Sequence, residues 1–205
     1  MPNSYYELHQ SLSQERLTHQ WDWFSGSQLK TTWNFDILSG SGTATDSDAQ
    51  NGGVILTSGT SGTQWLSINH NGIDHYSETG SVCISRFKRN TATTLVYAGL
   101  KNDAGASDNA NMFGFTSDDL SPRTFFDVRA NGIDTNTSVT LDTDYHRFVT
   151  ELRSSSGIGW VDGVLENVIT SNLPTSILEP HLNIYAISPS GAKTANITFM
   201  EAYNT

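Results

Sequence analysis

The chain has 205 residues, of which 16% are charged, with a formal net charge of -10 and a single cysteine, Cys83. So negative a chain argues against nucleic acid as a partner, because phosphate backbones reward clustered Lys and Arg, and one cysteine excludes an intrachain disulfide. The length suits one β-rich domain that buries about 70% of its unfolded surface and folds without a metal or a disulfide.

The N-terminal run MPNSYYELHQSLSQERL lacks the apolar core of a signal peptide. No stretch approaches the ~20 apolar residues of a membrane helix, so membrane insertion is not expected. Ser4 and Glu7 have capping-box spacing, and Tyr5, Leu8, Leu12 and Leu17 recur at helical intervals. This predicts a helix over about Ser4–His19, in an arm of residues 1–20. Such an arm either folds back onto its own domain or serves as an attachment or homo-oligomer contact. Residues 21–205 are read as one domain.

After Gly26 the apolar period becomes two, broken by Gly, Asn, Asp and Ser clusters. Val54–Thr57, Gln64–Asn69, Val82–Phe87, Leu95–Leu100 and Met112–Phe115 read as strands. So do Thr124–Val128, His146–Leu152, Gly159–Asp162, His181–Ile187 and Ala195–Tyr203. Turn signals stand at Asn51, Asn71, Asn131, Asp162 and Ser188. Many short strands at such spacing mean a sandwich or barrel. Alternation puts Cys83, Ser85 and Phe87 on one face and Arg86 and Lys88 on the other, which makes Cys83 a buried structural thiol. In the last strand both faces carry apolar groups, which predicts cover on both sides.

The C-terminal half carries a resemblance. Tyr145-His146 opens a strand, Trp160-Val161-Asp162-Gly163 closes a hairpin, and a final strand ends the chain. Asp-Gly supplies the two positive φ angles of a type I′ turn. Upstream, Asp22–Trp33 and Asn51–Leu56 follow in the same order. This succession resembles the concanavalin A-like and laminin G-like superfamily. The resemblance implies an all-β jelly roll of two antiparallel sheets. The terminal MEAYNT is also similar to phage-like and environmental viral proteins, which implies a virion or extracellular surface location.

Glycan-hydrolysing members of that superfamily carry E-x-D-x-E, whose period of two sets three carboxylates on one face. The chain lacks it: among Glu7, Glu15, Glu78, Glu151, Glu166, Glu179 and Glu201 no two are four apart. Lyase-type members pair a strand-borne Arg and Glu with Gln-x-His and a Tyr. Here Glu151, Arg153, His181 and Tyr185 are present, but Gln-x-His is not. A nucleophile elbow G-x-S-x-G is also missing, and the His70, Asp74 and His75 group reads as an exposed hairpin rather than a zinc turn.

No cofactor is required by these residues. Oxygen-rich loops, with Asn102, Asp103 and Asp108 as the ligand candidates, leave calcium open. Glycans are the expected partners, because sugar C–H faces pack on rings and hydroxyls pair with amides. The candidate sugar contacts by type are Trp65, His75, Tyr76, Tyr97 and Asn111. The expectation is a non-catalytic surface-display or binding module, glycan-directed or part of a virion or tail. The alternatives are a glycoside hydrolase or polysaccharide lyase with carboxylates drawn from separate strands, and a calcium-dependent lectin.

Overall fold

The computed structural model describes residues 19–22, 34–46, 53–60, 64–69, 76–77, 79–90, 94–102, 111–117, 125–131, 133–186 and 191–205. These hold fifteen strands: β1 (His19–Asp22), β2 (Asn34–Ser39), β3 (Gly42–Asp46), β4 (Val54–Ser58), β5 (Gln64–Asn69), β6 (Gly80–Arg89), β7 (Leu95–Lys101) and β8 (Met112–Thr116), followed by β9 (Phe125–Ala130), β10 (Ile133–Thr140), β11 (His146–Arg153), β12 (Ser156–Val161), β13 (Val164–Ile169), β14 (Glu179–Ala186) and β15 (Thr194–Asn204). Among the described residues no helix is long and apolar enough to cross a membrane. The helix expected over Ser4–His19 lies outside the described residues, except that His19 opens β1.

The strands form two antiparallel sheets of a jelly-roll sandwich. The eight-stranded sheet runs β13-β12-β11-β6-β15-β4-β3, with β1 also paired to β15. The seven-stranded sheet runs β10-β9-β8-β7-β14-β5-β2. The inner faces of β5, β6, β8, β11 and β14 follow the alternation of their strands. Leu66 and Ile68 of β5, Leu182 and Ile184 of β14, and Phe113 and Phe115 of β8 meet Cys83 and Phe87 of β6 and Phe148 and Leu152 of β11 in one core. Phe148 joins the sheets: its ring stacks 4.6 Å from Phe87 and lies 5.0 Å from Phe115.

β15 serves both faces by means of one extra residue. Ile197 pairs with Phe87 and Phe199 pairs with the adjacent Arg86, so a bulge sits at Thr198. Its hydroxyl donates to the Arg86 carbonyl and accepts from the Arg86 guanidinium. The inward set therefore passes from Ala195 and Ile197 to Met200 and Ala202. Phe199 turns outward into a second, small cluster with Val82 and Ile84. Arg86 and Lys88 share that outer face, over the Tyr145 ring.

The β12–β13 hairpin is the expected type I′ turn, with φ of 52° at Asp162 and 85° at Gly163. Asp162 also fixes the start of β11. One carboxylate oxygen accepts from the Arg147 amide at 2.8 Å, and the other lies 2.6 Å from His146 Nδ1. Asp142 meets Nε2 of the same ring at 3.0 Å. Burial opposes a charge on His146, but the hydrogen bonds and charges of Asp162 and Asp142 together raise its pKa above the usual histidine value.

Candidate active site on the seven-stranded sheet

The outer face of the seven-stranded sheet is polar where the inner face is apolar. Because the pleat has a period of two, burying Leu66 and Ile68 turns Trp65, Ser67 and Asn69 outward. Burying Leu182 and Ile184 does the same for His181, Asn183 and Tyr185, with Glu179 one repeat before. On β7, Tyr97, Gly99 and Lys101 face the same way. The register sets them in rows. Lys101 is opposite Glu179; Gly99 and Asn69 flank His181; Tyr97 and Ser67 flank Asn183; Leu95 and Trp65 flank Tyr185.

Although they point away from the core, these side chains are buried, apart from the half-buried Tyr185: Glu179 is 6% exposed and His181 0%. Buried polar groups need partners, and here they form one chain. Glu179 Oε1 lies 3.0 Å from His181 Nε2, and His181 Nδ1 lies 3.2 Å from Ser67 Oγ. Ser67 Oγ donates to Asn183 Oδ1 at 2.7 Å and accepts from Asn69 Nδ2 at 3.3 Å. Ser67, His181 and Glu179 thus follow in the order of a hydrolytic triad, but the serine proton goes to an amide oxygen, so Ser67 is not an activated nucleophile.

Aromatic groups border this chain. Trp65 and Tyr185 lie with ring centroids 4.0 Å apart at 36°. Tyr97 donates its hydroxyl to the Leu100 carbonyl at 2.7 Å. It lies beside a cross-strand glycine pair, Gly99 and Gly114. A Cβ on Gly114 would stand 2.5 Å from the Ala98 carbonyl and 2.9 Å from Tyr97 Oη. The glycines let these two backbones and the phenol come together.

The sugar-contact candidates from sequence are dispersed. Trp65 and Tyr97 stand on this polar face. Tyr76 is wholly buried in the core, bridged to Leu178. Asn111 holds a loop, its side chain accepting from Thr175. His75 lies outside the described residues, as do Asp103 and Asp108 of the calcium candidates. The amide of the remaining candidate, Asn102, donates to the Asn111 carbonyl. Among the described residues no three His, Cys, Asp or Glu side chains gather as a metal site would need. The lyase-like set is divided: Glu151 and Arg153 pair at 2.7 Å on the eight-stranded sheet, whereas His181 and Tyr185 are on the other.

Sequence reasoning missed Ser67, Asn69, Lys101, Glu179, His181 and Asn183 as one group. The signal was present in Gln64–Asn69 and in EPHLNIYA, where apolar residues alternate with Ser, Asn, His and Glu. What was missing was the pairing of those two strands.

No protein-family model matches the chain, and no curated protein sequence matches it. Solved structures do. The Crh5 transglycosylase in its apo form is 11% identical, over 91% of this chain and 84% of that one, with a TM-score of 0.66. A Bacillus licheniformis β-glucanase is 12% identical, over 91% and 98%, with a TM-score of 0.63. A Bacteroides ovatus mixed-linkage glucan GH16 protein, solved with a G4G4G3G product, is 10% identical, over 88% and 98%, with a TM-score of 0.66. These similarities establish the concanavalin A-like fold. They also correct the expectation of a non-catalytic display module. That expectation took the missing E-x-D-x-E strand as the absence of a site, whereas the matching sandwich is one that hydrolases and transglycosylases use, and its polar face here carries a buried acid.

Proposed function

We propose that the chain is a carbohydrate-active enzyme that cleaves or transfers glycosidic bonds, with the glycan laid across the outer face of the seven-stranded sheet. The observation that carries this reading is the buried Glu179, paired with His181 in the middle of that face. Among the described residues it is the buried carboxylate of this sheet; the other, Glu201, belongs to the eight-stranded one. A carboxyl held out of water beside a second proton-binding group has what a general acid needs to protonate a leaving glycosidic oxygen. Tyr185, half-buried and backed by Trp65 at 4.0 Å, supplies a ring face for sugar, and Asn69 and Asn183 keep the surroundings of the acid polar. The likeness to a transglycosylase and to glucan hydrolases supports glycosidic-bond chemistry.

The test is turnover on a panel of β-glucans and other polysaccharides, read as new reducing ends and as altered chain lengths. We expect activity on one class, reduced about 10²–10⁴-fold in Glu179→Gln. Full activity in that variant would overturn the assignment of the acid, and no turnover on any glycan would overturn the enzyme.

One observation favours a second reading. Among the described side chains the face offers one buried carboxylate, Glu179, beside Lys101, His181 and Tyr97, and β-elimination from a uronic acid needs a base and a cation rather than two carboxylates. Products with a new ultraviolet-absorbing double bond would select it.

A further inference from the structure

We infer that Ser67 and Asn183 are positioning residues for the Glu179 acid: they fix the tautomer of His181 so that a proton lies between His181 Nε2 and Glu179 Oε1. This rests on Glu179 being the acid.

A serine hydroxyl has one proton and two acceptor positions. The closest partner of Ser67 Oγ is Asn183 Oδ1 at 2.7 Å, a carbonyl oxygen that only accepts, so the proton goes there. Asn69 Nδ2 donates to one acceptor position of Oγ at 3.3 Å. The other faces His181 Nδ1 at 3.2 Å. With its own proton committed, Ser67 accepts, and Nδ1 must carry hydrogen.

A neutral imidazole carries one N–H. If that hydrogen is on Nδ1, Nε2 presents a lone pair to Glu179 Oε1 at 3.0 Å. A carboxylate there would set lone pair against lone pair in a buried site, where an unmet polar contact is costly. One more proton resolves this. It rests on the carboxyl, donating to Nε2, or on Nε2, donating to the carboxylate. Both forms hold the same number of protons, and in both the pair is neutral overall. The other tautomer, with Nε2–H facing a carboxylate, would leave the pair with charge −1 and no proton to give.

Lys101 stands opposite Glu179 on β7, Gly99 stands opposite His181, and on β5 the facing residue is Asn69. Among the described side chains the other titratable groups of this patch are Tyr97 and Tyr185, and on β2 the residue opposite Ser67 is Asp36. In the reaction the proton passes from Glu179 to the glycosidic oxygen as the bond to the anomeric carbon breaks, and the bonding electron pair leaves with that oxygen. The water or sugar hydroxyl that next attacks the anomeric carbon returns a proton to Glu179, restoring the pair.

The test reads the ring nitrogens of His181 directly, by nitrogen-15 NMR of the full chain, with the signal assigned by its loss in His181→Gln. The wild type should show hydrogen on Nδ1. Asn183→Ala frees the Ser67 proton for His181 and should move the ring to the Nε2–H tautomer. Asn183→Asp, still an acceptor at that position, should keep Nδ1–H. Ser67→Ala should lose Nδ1–H and lower kcat about 10–100-fold with KM little changed. A wild-type ring with bare Nδ1, or an unchanged tautomer in both Asn183→Ala and Ser67→Ala, would overturn the inference. None of the spectra needs a substrate. Failure of the enzyme reading, seen as no turnover, is therefore distinguishable from failure of the proton count.

Discussion

Glu179 and His181 stand two residues apart on β14, so the pleat sends both side chains to one face, where Oε1 comes within 3.0 Å of Nε2. The relationship is local in sequence, but its surroundings are not. Ser67 reaches the ring from β5, and Lys101 stands opposite Glu179 on β7.

This arrangement makes the stability of the site asymmetric. His181→Leu removes one partner each from Glu179 Oε1 and Ser67 Oγ at a buried site. It should cost about 1–3 kcal/mol. Glu179→Gln keeps an oxygen or amide beside Nε2 and should cost less. Urea unfolding of the two variants compares them, and equal costs would mean that His181 is not the hub of the network.

The clamp at the other sheet should respond to pH in a defined direction. His146 binds its proton more tightly when folded, held by Asp162 and Asp142 against the opposing effect of burial. A raised folded value means that the contribution is complete below the free-histidine value of about 6.5. It is lost as pH rises through the folded value. The pair is partly open to solvent, so the effect should stay under about 1 kcal/mol. Thermal unfolding of wild type and His146→Gln across pH 5–9, the range about that value, should show the largest gap at the acid end. A gap that widens with pH would reverse the assignment.

Two glycines are required for different reasons. Gly163 has a φ of 85° but open space around it, so Gly163→Ala should cost only the conformational penalty, about 1–2 kcal/mol. Gly114 needs no unusual φ, yet its added Cβ would meet the Ala98 carbonyl at 2.5 Å, an atom fixed in the sheet. Gly114→Ala should therefore cost about 1–3 kcal/mol or more, and disturb the Tyr97 hydroxyl as well. Denaturant midpoints would separate them. A Gly114→Ala protein as stable as wild type would show that β7 and β8 part easily.

The ten strands that alternation revealed form the interior of both sheets, and the five it did not reveal lie at their margins. β13 and β3 are the edges of the larger sheet, β10 and β2 those of the smaller, and β1 pairs with β15 alone. An edge strand has one neighbour and is wet on more sides, so its pattern decays. β10 reads IDTNTSVT, and β13 exposes Val164, Leu165 and Val168. Only the Asp162-Gly163 turn announced β13. In β15 the bulge at Thr198 reverses the parity, so Ile197 and Met200 both face inward, which a strict period of two does not allow. At the candidate site Trp65 and Tyr97 were legible as aromatic types. The pairing of Glu179 with His181 was legible only as a spacing of two in a strand. The serine and the amide that complete it come from positions fixed by register, over 100 residues apart in the chain.

Cys83 offers a last check on the sandwich itself. It faces the core from β6, and burial, aided by the charge of Glu201, pushes its thiol up to about 12. At pH 8 about one molecule in 10⁴ would carry the thiolate, the form that reacts. The side chain is also shut away between the sheets, so access is a second barrier. The native protein should therefore resist alkylation by a thiol reagent over hours, and react fully once urea opens the fold. The rate in intermediate urea should follow the unfolded fraction, because β6 lies between β11 and β15 and its central residues open only with both neighbours. Rapid labelling of the native chain would mean that β6 separates from a neighbour on its own, and that the larger sheet is not the rigid half of the molecule.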